Sequence, residues 1–308
     1  MRHPRPIQLI VALFAVLLPP VLQAQPYIDL SQQPSEDDQL FQLITQIRSL
    51  QQKKQEKQAV PLVERALSMA ANTVPANDAR YIAVLIAAGE VYWRLGDKSK
   101  AEPLLQRAAQ SAESSLAPAH PLVFTSLVDL GLFFRDKEDG GHSQPVFEKV
   151  LRLMEKLYGP EHELVAIYAK LLAESHYQQG DYVNARPLYE RAAALFEKLG
   201  KTDDQAYFAT LNDLAEACHM TGDYVRAALI LTRLVDLKTK VLGPNDASVA
   251  TSLRNLGSIA RQTHNFEQAA TFYLRALIIF EKTAGRDSVE VANVLNQLGL
   301  LYSDIGGP

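Results

Sequence analysis

Apolar residues return along most of the chain at three- and four-residue steps. Within 249–263 the residues Val249, Leu253, Leu256, Ile259 and Ala260 fall on one face of a helix. Within 266–284 a second stripe is made by Phe266, Ala269, Ala270, Tyr273, Ala276, Leu277 and Phe280. The two stripes are separated by a short polar turn, His264–Asn265, and the same junction reads Gly222–Asp223, Gly180–Asp181 and Gly96–Asp97 in earlier segments. Glycine suits the left-handed end of one helix, and Asp or Asn suits the start of the next. The pattern predicts helical hairpins.

The hairpins recur with a period of 42 residues. One column of the repeat is small: Gly89, Gly131, Ala173, Ala215, Gly257 and Gly299. A second small column contains Ala59, Ala101, Ser143, Ala185, Ala227 and Ala269, and Ala66, Ala108, Val150, Ala192, Leu234 and Ala276 form a third column. A fourth is large and apolar: Val63, Leu105, Phe147, Tyr189, Leu231 and Tyr273. Small residues let two helix backbones approach, and the large column fills the space beside them, so Leu at Gly257 or Ala227 is expected to overpack. A further column, Asp78, His120, His162, Asp204, Asp246 and Ser288, stands before the first helix of each pair, four of the six being short capping side chains. Pro118, Pro160 and Pro244 precede it, where the previous helix must have ended.

Leu253, Leu256, Gly257, Phe266, Ala269, Tyr273 and Ala276 together resemble the tetratricopeptide repeat. The period exceeds the usual 34 by about one helical turn in each helix. That length, with LYGPEHELVA (157–166) and VLGPNDASVATSLRNLG (241–257), resembles the kinesin light chain subtype. The resemblance implies an all-α, right-handed superhelical solenoid over residues 38–308, about six pairs plus a terminal helix, with first helices lining the concave side. The first unit departs from the pattern through Ile47 and the polar stretch Gln51–Lys57, which reads as a solvated cap. The third has Gly140 where Tyr or Phe is expected and Ser143 for Ala, which predicts a looser pair. Residues 293–305 supply a seventh first helix, so its outer face is expected either to meet a partner or to continue into a longer array.

The N-terminus breaks the periodicity. Arg2, His3 and Arg5 precede an apolar run from Ile7 to Leu22, the layout of a secretory signal, with a cleavage expected near Ala24 and a polar linker over 25–37. This predicts a periplasmic or secreted protein; an uncleaved anchor is the alternative. The full chain has a net charge of −4, and removal of Arg2 and Arg5 leaves 29 basic against 35 acidic residues, or −6. No basic stripe of the kind that neutralises phosphates is present, which speaks against nucleic acid as a partner. Cys218 is the single cysteine, which excludes an internal disulfide. It shares a column with Tyr92, Phe134 and His176, so it reads as an inert apolar filler and His176 as a buried, hydrogen-bonded imidazole. His120 and His162 are 42 apart in the inter-repeat turn and read as caps; no metal and no cofactor is expected.

No phosphate-binding glycine loop, nucleophile elbow or zinc-protease motif occurs, so the expectation is a non-catalytic scaffold for a protein or peptide. In the kinesin light chain family, paired asparagines on the first helices clamp the backbone of an extended peptide. The resemblance carries this role onto Asn212, Asn255 and Asn296, one per repeat. An amide donates and accepts together, as gripping a peptide bond requires. Glu90, Glu174 and Glu216 share one column and would favour basic segments of a partner, while Arg135 and Arg261 partly offset the acid. Tyr177 joins this groove-facing set. Trp93, the only tryptophan, is either an aromatic anchor or packing against the next helix pair. Docking of the terminal helix in an envelope or secretion complex is the rival expectation.

Overall fold

The computed structural model describes residues 36–306, with side chains from residue 39 onward; the predicted signal segment, its cleavage point and the linker up to residue 35 lie outside the described residues. Thirteen α-helices and no strand occur among the described residues. They are α1 (Glu36–Gln52), α2 (Glu56–Thr73), α3 (Ala79–Leu95), α4 (Lys98–Ser115), α5 (Pro121–Asp136), α6 (Gly140–Tyr158) and α7 (Glu163–Gln178). The series continues with α8 (Tyr182–Lys198), α9 (Gln205–Met220), α10 (Tyr224–Leu242), α11 (Ala247–Gln262), α12 (Phe266–Thr283) and α13 (Val289–Gly306). Odd-numbered helices are the first members of six hairpins, and α13 is a seventh. The linker expected to reach residue 37 ends sooner, because α1 already starts at Glu36. No described helix is long and apolar enough to cross a membrane.

Both cap columns act as caps. Asp78, Asp204 and Asp246 accept from the second backbone N–H of the helix that follows, and Ser288 Oγ accepts from Val291 at 3.3 Å. His120 and His162 do the same through Nδ1, each at 3.2 Å, so the histidines substitute for the short polar caps. Inside the hairpins the turn residue is left-handed: Gly96, Gly180 and Gly222 have φ of 84°, 76° and 77°. Glu138 and His264 take the same place at φ 58° without being glycine.

The small column works by contact with the large one sixteen residues on. A Cβ on Gly89, Gly131 or Gly257 would sit 2.6, 2.8 or 2.7 Å from Leu105, Phe147 or Tyr273 respectively, whereas Gly299 has nothing within 4 Å. The third pair packs closely against the fourth. Gly140 is buried, and a Cβ there would lie 2.4 Å from the Ser175 carbonyl, so the missing ring is replaced by direct approach of α6 to α7. Ser143 Oγ then donates to Ser175 Oγ at 2.7 Å. The polar stretch Gln51–Lys57 is solvated except at Glu56, which is half-buried, and at Gln51, which is buried and donates to Glu90 at 2.9 Å.

Second helices are joined on their outer side by ion pairs 36 residues apart: Glu113–Lys149 (2.8 Å), Glu155–Arg191 (2.5 Å) and Glu197–Arg233 (3.0 Å). The core is continuous from α1 to α10 and reaches α11 through Leu256 and Ile259. A second cluster starts at Val235 and Val249 and runs to α13. Lys238 stands at that seam, in a column otherwise filled by Ala70, Ala112, Met154, Phe196 and Phe280. It is buried, and its Nζ donates to Ser252 Oγ at 3.0 Å and to the Ser248 carbonyl at 3.2 Å. Burial lowers its pKa from the ordinary lysine value.

Candidate functional site

All ten sequence-predicted groove residues lie on first helices, and the structure shows how those helices face one another. Cross-helix contacts fall at two separations. At 43 residues, Trp93 Nε1 donates to Asp136 (3.1 Å), Asn255 Nδ2 to Asn212 (3.2 Å), and Arg261 Nη1 to Asp304 (2.9 Å). At 39 residues, Arg135 pairs with Glu174 (3.4 Å) and the Tyr177 hydroxyl donates to Glu216 (2.8 Å). The two separations differ by four, so a side chain on one first helix meets two positions a turn apart on the next.

Several predicted contacts are therefore already engaged. Trp93 is 8% exposed and packs edge-on against Phe133, its ring centroid 5.9 Å away. It is a packing residue between first helices, which corrects its place among direct partner contacts. Asn212 and Asn255 bond to each other along the groove, and Asn296, one repeat on, is exposed. An amide carries two donor hydrogens and two acceptor lone pairs, so the Asn212–Asn255 pair keeps capacity for a peptide backbone.

The acidic column is not uniform. Glu90 is half-buried and faces Asp129. Burial, and then the neighbouring Glu90 carboxylate, push the Asp129 carboxyl well above its ordinary value, and Asp129 Oδ2 has no partner. Glu174 belongs to a quartet with Arg135, Lys170 and Asp213: Lys170 reaches both Glu174 and Asp213, the latter at 2.9 Å. Burial opposes ionisation of Glu174, but Lys170 and Arg135 outweigh it and hold the carboxyl below its usual value. Burial likewise opposes charge on Lys170, yet Glu174 and Asp213 keep it firmly protonated. Asp213 is raised, by burial and by Glu174 against the pull of Lys170. Glu216 alone of the column is exposed, bonded through the Tyr177 hydroxyl.

Between α5, α7 and α9 these residues surround a concavity of about 420 Å³, lined by Arg135, Asp136, Glu138, Glu174, Tyr177, Gln178, Tyr189, Asp213 and Glu216. A smaller set, Arg261, Gln262, His264, Phe266 and Asp304, frames a second one of about 450 Å³ near the C-terminal end. No group of three or more metal-ligating side chains comes together among the described residues.

The tetratricopeptide repeat model matches residues 122–198, 164–240, 208–282 and 248–308, and a related tetratricopeptide model matches 82–115. The chain belongs to the tetratricopeptide repeat family. No curated protein matches. Among solved structures, the fold is similar to nearly identical kinesin light chain repeats from Podosopora anserina, at 21% identity and TM-score 0.59, over 66% of this chain and 96% of that one. It is also similar to BtubC (BKLC) from P. vanneervenii, at 18% identity and TM-score 0.57, over 80% and 92%. Pseudomonas aeruginosa pilF is a third, at 14% identity and TM-score 0.56, over 85% and 99%. These likenesses show a tetratricopeptide solenoid as the fold.

Within that fold, sequence reading missed Asp136, Glu138 and Tyr189 as groove residues. Tyr189 comes from a second helix and occupies the large core column, where the chain elsewhere has Leu, Phe or Val as well as Tyr. The signal for it is the phenol: the residue fills the core and also lines the concavity. Asp136 is legible only through the 43-residue offset from Trp93, which no single-column comparison displays.

Proposed function

We propose that this tetratricopeptide protein is a non-catalytic interaction scaffold, exported to the cell envelope, that holds an extended or helical segment of a protein partner along the face built by its first helices. One observation carries the reading: amides, tyrosines and charged groups of α5, α7, α9, α11 and α13 converge on a single face, with the Asn212–Asn255 pair at its middle. Such a face offers backbone-gripping groups without a water-excluding pocket for chemistry. The signal-like N-terminus supports export, and the purified protein is expected to begin near Gln25. The groove assignment is tested by changing Asn212, Asn255 and Asn296 to Ala together. Partner affinity, measured by calorimetry on the segment recovered by crosslinking in cells, should fall; an unchanged affinity refutes the assignment.

A second reading is favoured by α13, on which Leu295, Leu300, Tyr302 and Ile305 are exposed and Gly299 lacks the large neighbour its column has elsewhere. In that reading the protein is a structural subunit docked through α13. Light scattering separates the two, because obligate assembly is incompatible with a monomer at micromolar concentration.

A further inference from the structure

We propose that α13 pairs with α13 of a second copy of this chain, the two helices running antiparallel about a twofold axis at Gln297. The groove reading does not depend on this pairing; it names the occupant for the reading in which α13 is the docking helix. The face concerned consists of Ala292, Leu295, Gly299 and Tyr302, whose steps of three, four and three fall on one stripe of a helix. All four are exposed, Leu295 by 52% and Tyr302 by 58%. Their counterparts one repeat earlier, Ala250, Leu253, Gly257 and Ala260, are buried, and so are Phe208, Leu211, Ala215 and Cys218 two repeats earlier. In α11 that stripe lies under the second helix of its own pair, with Gly257 beneath the Tyr273 ring. Continuity of the array therefore identifies the shape of what covers α13: a helix running antiparallel to it, as α12 runs to α11.

The neighbouring helix suits the same occupant. Glu190 of α8 pairs with Arg226 of α10, the next second helix, at 2.9 Å. Two periods on, that column holds Leu274 of α12, which is exposed, and Ile278 follows one turn later, also exposed. Where an inner pair meets the next second helix through charge, the last pair offers apolar side chains. Two features then select a second copy as the source of the covering helix. The stripe alternates small and large, so reversing it against itself sets Leu295 opposite the second copy's Gly299, and Ala292 opposite its Tyr302. Each layer has one small and one large side chain, as Gly257 and Tyr273 do within the chain, whereas a parallel pair would set small against small and leave voids. A twofold contact requires such self-complementarity, because both copies use the same residues. The other feature is charge. From Val291 to Ser303 α13 has no charged side chain, so two copies meet without opposing like charges.

The full chain is followed by light scattering across the micromolar range, where twice the mass of one chain is expected. Gly299→Lys meets nothing within a single copy, so helicity should be unchanged. In the pair it sets a charge against the second copy's Leu295, and dissociation should move to at least about tenfold higher concentration. Gly299→Ala, the residue its column holds at 173 and 215, should remain a dimer. Cysteines test the register, since the native Cys218 is buried. Chains with Ala292→Cys and chains with Tyr302→Cys should form a disulfide with each other on mild oxidation. Neither should link to itself, because like positions lie about 15 Å apart along the axis at roughly 1.5 Å per residue. A monomer throughout the range overturns the proposal, and the obligate assembly with it. A dimer in which each cysteine chain links to itself, or one unmoved by Gly299→Lys, overturns the proposal while assembly stands.

Discussion

Asp129 is a carboxyl group held where carboxylates are not stable: buried, beside Glu90, with one oxygen unpartnered. Its folded pKa is raised, so above the ordinary aspartate range the folded state retains a proton that the unfolded chain has released. Stability from this residue is therefore full below that range and is lost as pH rises through the folded value. Asparagine keeps the shape and can donate permanently toward Glu90. Asp129→Asn should match the parent at pH 4 and exceed it at pH 8 by roughly 1–3 kcal/mol, the cost of an unsatisfied buried polar group. Chemical denaturation at the two pH values checks this, and equal gains at both would contradict it. Comparison at the 42-residue period does not show that Glu90 faces Asp129, because the two are 39 residues apart.

At the scale of the helix, α3, α5, α7, α9 and α11 are each fitted to their own second helix by a glycine or alanine under a large side chain. Gly257→Ala puts a Cβ 2.7 Å from the Tyr273 ring and should cost about 1–3 kcal/mol through overpacking. Gly299→Ala, in the same column, meets nothing and should gain up to about 1 kcal/mol from helix propensity. Thermal melts of the two variants should thus shift in opposite directions, and two losses of similar size would show that the column has another purpose. The helices, their caps and these columns were legible from periodicity alone, since every signal repeated at 42 residues. The groove was legible only in part. The residues expected there do lie on first helices, but pairing at 39 and 43 residues decides which are free. That offset follows from how helices tilt against each other, which one sequence does not encode in any single column. It explains why Trp93 and Glu174 proved engaged with neighbouring repeats, while Tyr189 went unread.

Across the whole molecule, contacts link each pair to its neighbours, so stability is a sum along the array and a buried polar group at a junction is felt there. Such a group lies between α10 and α11, where Lys238 interrupts a column of Ala, Met and Phe. Ser252 Oγ already donates to the Ser248 carbonyl at 3.1 Å, so losing the lysine leaves it satisfied. Lys238→Met should stabilise the chain by about 1–3 kcal/mol. The parent's lysine has a lowered folded pKa, so its penalty is relieved as pH climbs through that value toward 10.5, and parental stability should rise over this alkaline window. The variant should lack that rise; a parent and variant with parallel pH profiles would show that Lys238 is not the weak point.

The consequence is mechanical. Pulled from its two ends, a molecule built this way gives way link by link, and the link that carries Lys238 separates the last hairpin and α13 from the other five hairpins. Any partner that spans Asn212 and Asn255 lies across the link, so it would act as a splint.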